Sequence, residues 1–201
     1  MKIKTLLSAA ALVLGIGFFA ACSSKTAETA QPAAISVDSV MTVAADIVGD
    51  TIEVEGLCSH LCKHGGRKAF LVGADSTTVL RCEATAEMGG AFAPDCVGKT
   101  LKVRGIVREN RIGEAEVAAM EARQAQADSA ARAHEACDTE KKAQGQDSID
   151  TFEDRMADYR AKIAARSAAE GKDYLSFYYI EALSYEIFSP EAKQPHQSSK
   201  Y

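Results

Sequence analysis

Apolar and polar positions alternate along much of residues 37–109, with the two-residue period of β-strands. Turn residues separate the runs, and Gly65-Gly66 predicts a tight turn between the first two. The four runs cover residues 51–62, 68–73, 77–83 and 100–107. A fifth run at 174–188 is rich in β-branched and aromatic residues. The pattern therefore predicts five strands, the last of them far along the chain from the others.

The apolar parity of the first strand changes at Gly56. Ile52 and Val54 share one face, whereas Leu57 and Leu61 have the opposite parity. A bulge at Gly56 would bring all four into one core. We therefore expect Leu57 and Leu61 to face the core, with the polar and sulfur side chains of this segment facing outward or into a groove.

Residues 113–143 change to a helical composition, rich in alanine and charge and nearly free of large apolar side chains. Gly145 and Asp147-Ser148 predict a turn and a new helix start. Gly171 predicts the end of that second helix. Its apolar residues recur at alternating spacings of three and four, as in packed helices. They are Ile149, Phe152, Met156, Tyr159 and Ile163.

Together these elements predict an α+β fold, a small five-stranded OB-like β-barrel with a two-helix (α-hairpin) insertion before the last strand. Barrel strands 1–4 are expected within 37–112, the insertion at 113–171 and the final strand or strands at 172–189. Residues 190–201 are predicted to form a disordered tail.

Three segments of the chain resemble periplasmic OB-fold lipoproteins, a largely uncharacterised family. They are Val54-Glu-Gly56, Cys62-Lys-His-Gly-Gly-Arg-Lys-Ala-Phe70 and Val97-Gly-Lys-Thr-Leu-Lys-Val-Arg-Gly105. The resemblance extends over about residues 50–109 and 173–188. It implies the barrel and supplies no catalytic residues, since a fold does not by itself assign a function.

The N-terminus has the three parts of a secretory signal peptide. Lys2 and Lys4 precede an apolar run at 6–19, and two small residues then precede Cys22. Phe19-Ala-Ala-Cys22 resembles a lipobox. We expect residues 1–21 to be a signal peptide, Cys22 to carry the lipid, and residues 22–36 to be a flexible tether. Ser23-Ser24 after the cysteine favours the outer membrane of a diderm envelope, facing the periplasm, by resemblance to lipoprotein sorting rules.

The charge and motif content narrow the classes of function. A formal net charge of −5 disfavours nucleic acid, whose phosphates require excess Lys and Arg. The sequence contains no nucleophile elbow, phosphate loop or His-Glu-x-x-His motif, so we do not expect an enzyme.

The most informative chemistry is the alternation Cys58-Ser-His60-Leu-Cys62-Lys-His64. In an extended strand, residues two apart share a face, so neighbouring donors can bind one metal. Cys58 and Cys62 would lie about 13 Å apart in a strand, too far for a disulfide. Thiolate and imidazole ligands suit zinc or Cu(I). Cys82 could join from a neighbouring strand, and a Cys82–Cys96 bridge stays open.

His134 and Cys137 form a second candidate metal pair, since residues three apart share a helix face. A straight helix from residue 113 would carry His134 roughly 30 Å from the barrel. This pair is therefore expected to be a separate site unless the helix folds back or a second subunit supplies it.

Three functions remain. The first is a lipoprotein that binds zinc or copper as a sensor, buffer or chaperone. The second is a protein-binding or self-assembly module that uses the helices of 113–170. The third is a thiol redox or haem-handling protein, which the lack of a Cys-x-x-Cys motif disfavours.

Overall fold

The computed structural model describes residues 33–63, 65–127 and 137–188. The strands are β1 (Ile35–Ser36), β2 (Thr51–Leu61), β3 (Lys68–Val72), β4 (Val79–Ala84), β5 (Thr100–Gly113) and β6 (Tyr174–Phe188). The α-helices are α1 (Val37–Val43), α2 (Glu114–Gln126), α3 (Asp138–Ala143) and α4 (Phe152–Glu170). Two short 3₁₀ turns, Ala86–Met88 and Pro94–Cys96, lie between β4 and β5. None of the helices in these ranges is long and apolar enough to cross a membrane.

Five of the strands close into a mixed barrel in the order β2-β3-β4-β6-β5. The barrel closes because β5 also pairs with the first half of β2, from Thr51 opposite Ile106 to Leu57 opposite Thr100. The β4–β6 pairing is parallel, and the other four pairings in the ring are antiparallel. The strand β1 adds a short parallel pairing to β2. The five-stranded α+β barrel expected from the sequence is confirmed, and it is compatible with an OB-like fold.

The first described residues depart from the predicted tether and strands. Residues 35–36 form β1, and residues 37–43 form a helix rather than a strand. The Ser36 side chain accepts the Ser39 N–H and caps this helix. Val37 and Val40 then lie one turn apart and pack into the barrel core. Tertiary packing of these two valines thus decides the local structure of a segment only two helical turns long.

The bulge in β2 lies after Cys58, not at Gly56. The pairing of β2 with β3 shifts register between Cys58 and His60. Leu57 is therefore 44% exposed, against expectation, whereas Leu61 packs against the core as expected. Gly56 has a different role, because a Cβ there would lie 2.7 Å from Val37 Cγ2. The glycine lets α1 lie directly on the strand.

The segment between β5 and β6 contains three helices in its described part, so the predicted two-helix hairpin is not confirmed as such. The apolar stripe of the second predicted helix does pack as expected. Met156, Tyr159 and Ile163 of α4 are buried with Val117 of α2 and Ile112 of β5. Gly171 ends α4 with a φ of 69°, as its position predicted. A second, smaller core thus joins the helices to the outside of the barrel.

Gly105 marks the closest approach of β5 to β6. A Cβ at this position would clash with Ile180 Cγ2 and lie 2.5 Å from the Glu181 carbonyl oxygen. We expect Gly105→Ala to lower the free energy of unfolding by about 3 kcal/mol. The atoms that the new Cβ would meet include the backbone of β6, which cannot rotate away as a side chain can. Urea unfolding measures the change. Arg104→Ala, at an exposed position of the same strand, is the control and should change little. Equal midpoints for both variants would contradict the tight packing.

Candidate functional site

A cleft of about 1130 Å³ lies between the outside of the barrel and the helices that precede β6. The barrel wall of this cleft includes side chains of β3 and β4. The barrel contributes Lys68, Arg81 and Asn110 together with two of the predicted metal ligands, His60 and Cys62. The insertion contributes, among others, Arg123, Cys137, Glu140, Arg155 and Tyr159.

The bulge in β2 places His60 on the cleft side of the strand. Its ring lies 5.8 Å, centroid to centroid, from that of the fully buried Phe70. Its Nε2 atom is shielded from solvent and has no hydrogen-bond partner in the part of the chain that the structure describes. Most buried polar atoms in proteins are paired, often with water or an ion where no side chain serves. This nitrogen therefore has room for one more partner, such as a water molecule or a metal ion.

The same bulge separates the predicted metal ligands into two groups. Cys58 and Cys82 are fully buried in the barrel core, as is Cys96, while His60 and Cys62 line the cleft. His64 lies outside the described residues. Within the described ranges, no group of three or more His, Cys, Asp or Glu side chains is arranged to hold a metal ion. The expectation that the alternating donors share one outward face is wrong for Cys58.

The core thiols are held in their neutral form. Burial, with a further contribution from the Cys96 thiol, raises the pKa of Cys58 to about 11. Burial and then the Cys58 thiol raise the pKa of Cys82 further still. Since the thiolate is the metal ligand, these two cysteines are poorer donors than the sequence spacing indicated. None of Cys58, Cys82 and Cys96 forms a disulfide in this structure.

Cys137 lies on the cleft wall, close to the barrel rather than far from it. The estimate of roughly 30 Å assumed a straight helix from residue 113. Instead α2 ends at Gln126, and Cys137 is the N-cap of α3. The two predicted sites thus contribute to one cleft through His60, Cys62 and Cys137. His134 lies outside the described residues.

Glu140 fixes α3 to the barrel and is a residue whose role the sequence did not reveal. The residue is 7% exposed, and its carboxylate accepts from Arg81 at 2.5 Å and from Lys68 at 3.0 Å. We call these three residues the Glu140 clamp. The Arg81 guanidinium also lies over the Tyr179 ring, 4.8 Å from its centroid. Because Cys137 precedes Glu140 by one helical turn, the clamp holds that cysteine over the barrel face.

The pKa of Glu140 reflects two opposed effects. Burial favours the neutral acid, but the charges of Arg81 and Lys68 oppose it and together hold the pKa below its ordinary value of 4.5. The residue is therefore a carboxylate at neutral pH, and the clamp is an ion pair with two cations.

A buried polar network ties α3 to α4 on its other side. The Tyr159 hydroxyl donates to Gln144 Oε1 at 2.6 Å. Gln146 is fully buried, and its side-chain amide accepts from Arg155 Nε and donates to the Arg155 carbonyl oxygen, both at 3.1 Å. The short helix that carries Cys137 is thus fixed on both sides, although it has only two turns.

We expect Glu140→Gln to lower the free energy of unfolding by about 3 kcal/mol at pH 7, because two cations then face a neutral amide. The folded-state pKa of Glu140 is depressed, so the carboxylate contributes fully above about pH 4.5 and its contribution disappears as the pH falls through the lowered pKa. The gap between wild type and variant should therefore narrow below pH 4.5. Urea unfolding at a series of pH values measures it.

Glu170→Gln is the matched control for the clamp. Glu170 also pairs with two cations, Arg166 and Lys172, but on the exposed surface. Exposed pairs contribute little, so this variant should unfold almost as wild type does. If Glu140→Gln behaves like Glu170→Gln at every pH, the clamp does not hold the insertion.

No family model matches this chain, and no curated protein is significantly similar to it.

Proposed function

We propose that this protein is a lipid-anchored envelope protein that binds a soft or borderline metal, zinc or copper, in the cleft between barrel and insertion. The observation that carries the proposal is the unpartnered, buried Nε2 of His60 in a cleft whose walls also include Cys62 and Cys137. Imidazole nitrogen and thiolate are ligands that both metals accept. The three side chains line one cleft but are not gathered around one point among the described residues, so we propose that the metal draws them together on binding.

The surroundings of the donors favour a metal with these ligands over a hard cation. Five basic side chains line the cleft against two acidic ones, and Glu140 is already engaged by Arg81 and Lys68. Mg²⁺ or Ca²⁺ would need several carboxylate or carbonyl oxygens. Two thiolates, by contrast, balance the charge of a divalent metal within an otherwise basic cleft. The role we propose is that of a metal buffer, sensor or chaperone, without catalysis.

Metal titration of reduced protein tests the proposal. We expect stoichiometric binding of Zn²⁺ and Cu(I), and a thiolate-to-metal absorption band with Co²⁺ as a spectroscopic substitute for zinc. Cys62→Ser, Cys137→Ser and His60→Gln should each weaken binding by at least about tenfold, since each removes one ligand. Binding should also weaken as the pH falls, because protons compete for thiolate and imidazole. Cys82→Ala, a change inside the barrel core, is the control and should bind as wild type does.

His64→Ala and His134→Ala test whether the two remaining predicted donors complete the site. The metal proposal fails if the parent protein binds no metal at micromolar concentration. It fails equally if the three cleft variants and Cys82→Ala all bind as tightly as the parent.

We also infer that Cys22 bears the lipid and that the protein resides in the envelope. The inference is supported by the segment Phe19-Ala-Ala-Cys22, which resembles a lipobox. In a diderm host, Cys22→Ser should leave the chain unprocessed or move it from the membrane fraction to the soluble fraction, because the acyl chains provide the anchor. Fractionation and intact mass measure both outcomes. Ser23→Ala is the control and should stay in the membrane fraction. An unchanged mass and fraction for Cys22→Ser would contradict lipidation.

We infer that α2 and α4 are the two arms of the predicted hairpin, with α3 in the connection between them. Arg160 of α4 supports this arrangement, because it binds Glu114 and Glu121 of α2. The apolar stripe of α4 is buried within the chain. Assembly through these helices therefore stays a second prediction, and the apolar stripe in the described part of α4 is already buried within the chain.

A further inference from the structure

Three cysteines face the barrel interior, and the proposed metal site uses none of them. Cys58, Cys82 and Cys96 are each fully buried and belong to one core cluster. Disulfides form and persist in an oxidising envelope, so buried thiols that lie close together there can pair. A disulfide joins two of them only where their Cα atoms lie within about 7 Å of each other.

Strand spacing excludes the pair Cys58–Cys82. Cys58 lies on β2 and Cys82 on β4, with β3 between them, where Leu71 is opposite Cys58 and Ala69 is opposite Cys82. Two strand spacings amount to about 9.6 Å, beyond the roughly 7 Å limit between the Cα atoms of a disulfide. The barrel would have to distort for this pair to form a bond.

Cys96, in contrast, begins a tight turn that lies directly beside Cys58. The Cys58 N–H donates to the Lys99 carbonyl oxygen at 2.8 Å, and the Gly98 N–H donates to the Cys58 carbonyl oxygen at 2.8 Å. The Lys99 N–H in turn donates to the Cys96 carbonyl oxygen at 3.0 Å, which closes the turn. The backbone of Cys58 is thus hydrogen-bonded to two residues of the turn that Cys96 begins.

The side chains agree with this backbone arrangement. Both thiols belong to the same core cluster. Cys96 acts electrostatically on Cys58 and Cys58 acts on Cys82, so the backbone hydrogen bonds of the turn, and not the thiol electrostatics, distinguish Cys96 as the partner. Cys62 and Cys137 lie on the opposite side of the barrel wall, in the cleft. Cys96 is therefore the partner that the fold offers to Cys58.

We propose that Cys58 and Cys96 form a disulfide in the exported protein. The inference rests on the export proposed above. The two thiols lose two protons and two electrons as the S–S bond forms, and a protein or small-molecule disulfide of the envelope accepts them and becomes two thiols. Because both thiols are inaccessible in the folded barrel, the bond forms before the barrel closes.

The bond has a consequence for the metal site. It closes a loop that contains β3 and β4 and fixes the strand at the bulge that precedes His60. Cys62 and Cys137 stay reduced as the metal donors, and Cys82 stays a buried thiol. One disulfide, two ligands and one core thiol together account for the odd number of cysteines that follow Cys22.

The proposal is tested by mapping the cysteine thiols of the full chain. The chain is produced with its signal peptide in a diderm host, which exports it. The protein is unfolded, alkylated, digested and mapped before and after reduction. We expect one cross-linked peptide pair that contains Cys58 and Cys96, and alkylated, uncross-linked cysteines at positions 62, 82 and 137. Oxidised protein should melt roughly 10 °C above reduced protein, because the bond closes a loop of about 40 residues.

Cys96→Ser should release Cys58 to alkylation and remove the difference in melting temperature, whereas Cys82→Ala should leave the cross-link intact. A map with Cys58 and Cys96 both alkylated, or with either one joined to a different cysteine, would overturn the proposal. Fractionation of the same cells shows whether the chain was exported. If the chain was not exported, it is refolded in a glutathione redox buffer and mapped in the same way. A Cys58–Cys96 cross-link then supports the proposal, and any other pairing, or alkylation of both cysteines, overturns it.

Discussion

The cleft depends on one carboxylate of the insertion, which is buried between two cations of the barrel. Removing the charge of Glu140 from water is costly, and only close, hydrogen-bonded cations offset that cost. Arg81 and Lys68 meet this condition from adjacent strands, at 2.5 and 3.0 Å. An ion pair of this kind adds little net stability, but it penalises every alternative position of α3 that would leave a charge buried and unpaired. The clamp thus sets where Cys137 lies more than it sets how stable the barrel is.

A second constraint is the register of β2. Side chains alternate between faces, so an insertion of one residue reverses every face that follows it. Cys58 lies before the bulge and points into the core, while His60 and Cys62 lie after it and line the cleft. A motif that looks like one ligand row therefore serves two chemistries, a neutral thiol in an apolar interior and donors on a polar wall. The pKa of about 11 for Cys58 is the electrostatic consequence of that division.

The sequence predicted the parts of the fold that local patterns determine. The four barrel strands, the last strand and the stripe of α4 follow from periods of two and about 3.6, which a single chain segment displays. The helix α1 was not predicted, because its formation depends on packing against Gly56 and the barrel core, which no local pattern shows. The position of the bulge was also not predicted correctly. The apolar residues Leu57 and Leu61 are compatible with a register shift at Gly56 as well as with one after Cys58.

In the cleft, the sequence singled out His60, Cys62 and Cys137 as candidate donors, but it did not show that they line one cavity. The clamp was invisible for a physical reason: Glu140 meets Arg81 and Lys68 across 59 and 72 positions of the chain. Contacts of that separation have no local pattern to reveal them. In the sequence, Glu140 only extends the helix face of His134 and Cys137, which gives no sign of its two cations on the barrel.

The clamp and the proposed ligands respond to acid in different ranges, so release of a metal from the proposed site would precede loss of the cleft. Metal-bound thiolates and imidazoles compete with protons near neutral pH, as these ligand types do in general. The pKa of Glu140 is held below 4.5, so the clamp stays charged through that range. Mild acidification would then empty the donors while α3 stays on the barrel, and the same cleft would be ready when the pH rises. A metal buffer or chaperone needs this order of events, because a site that unfolded on release would have to reassemble before each new binding event.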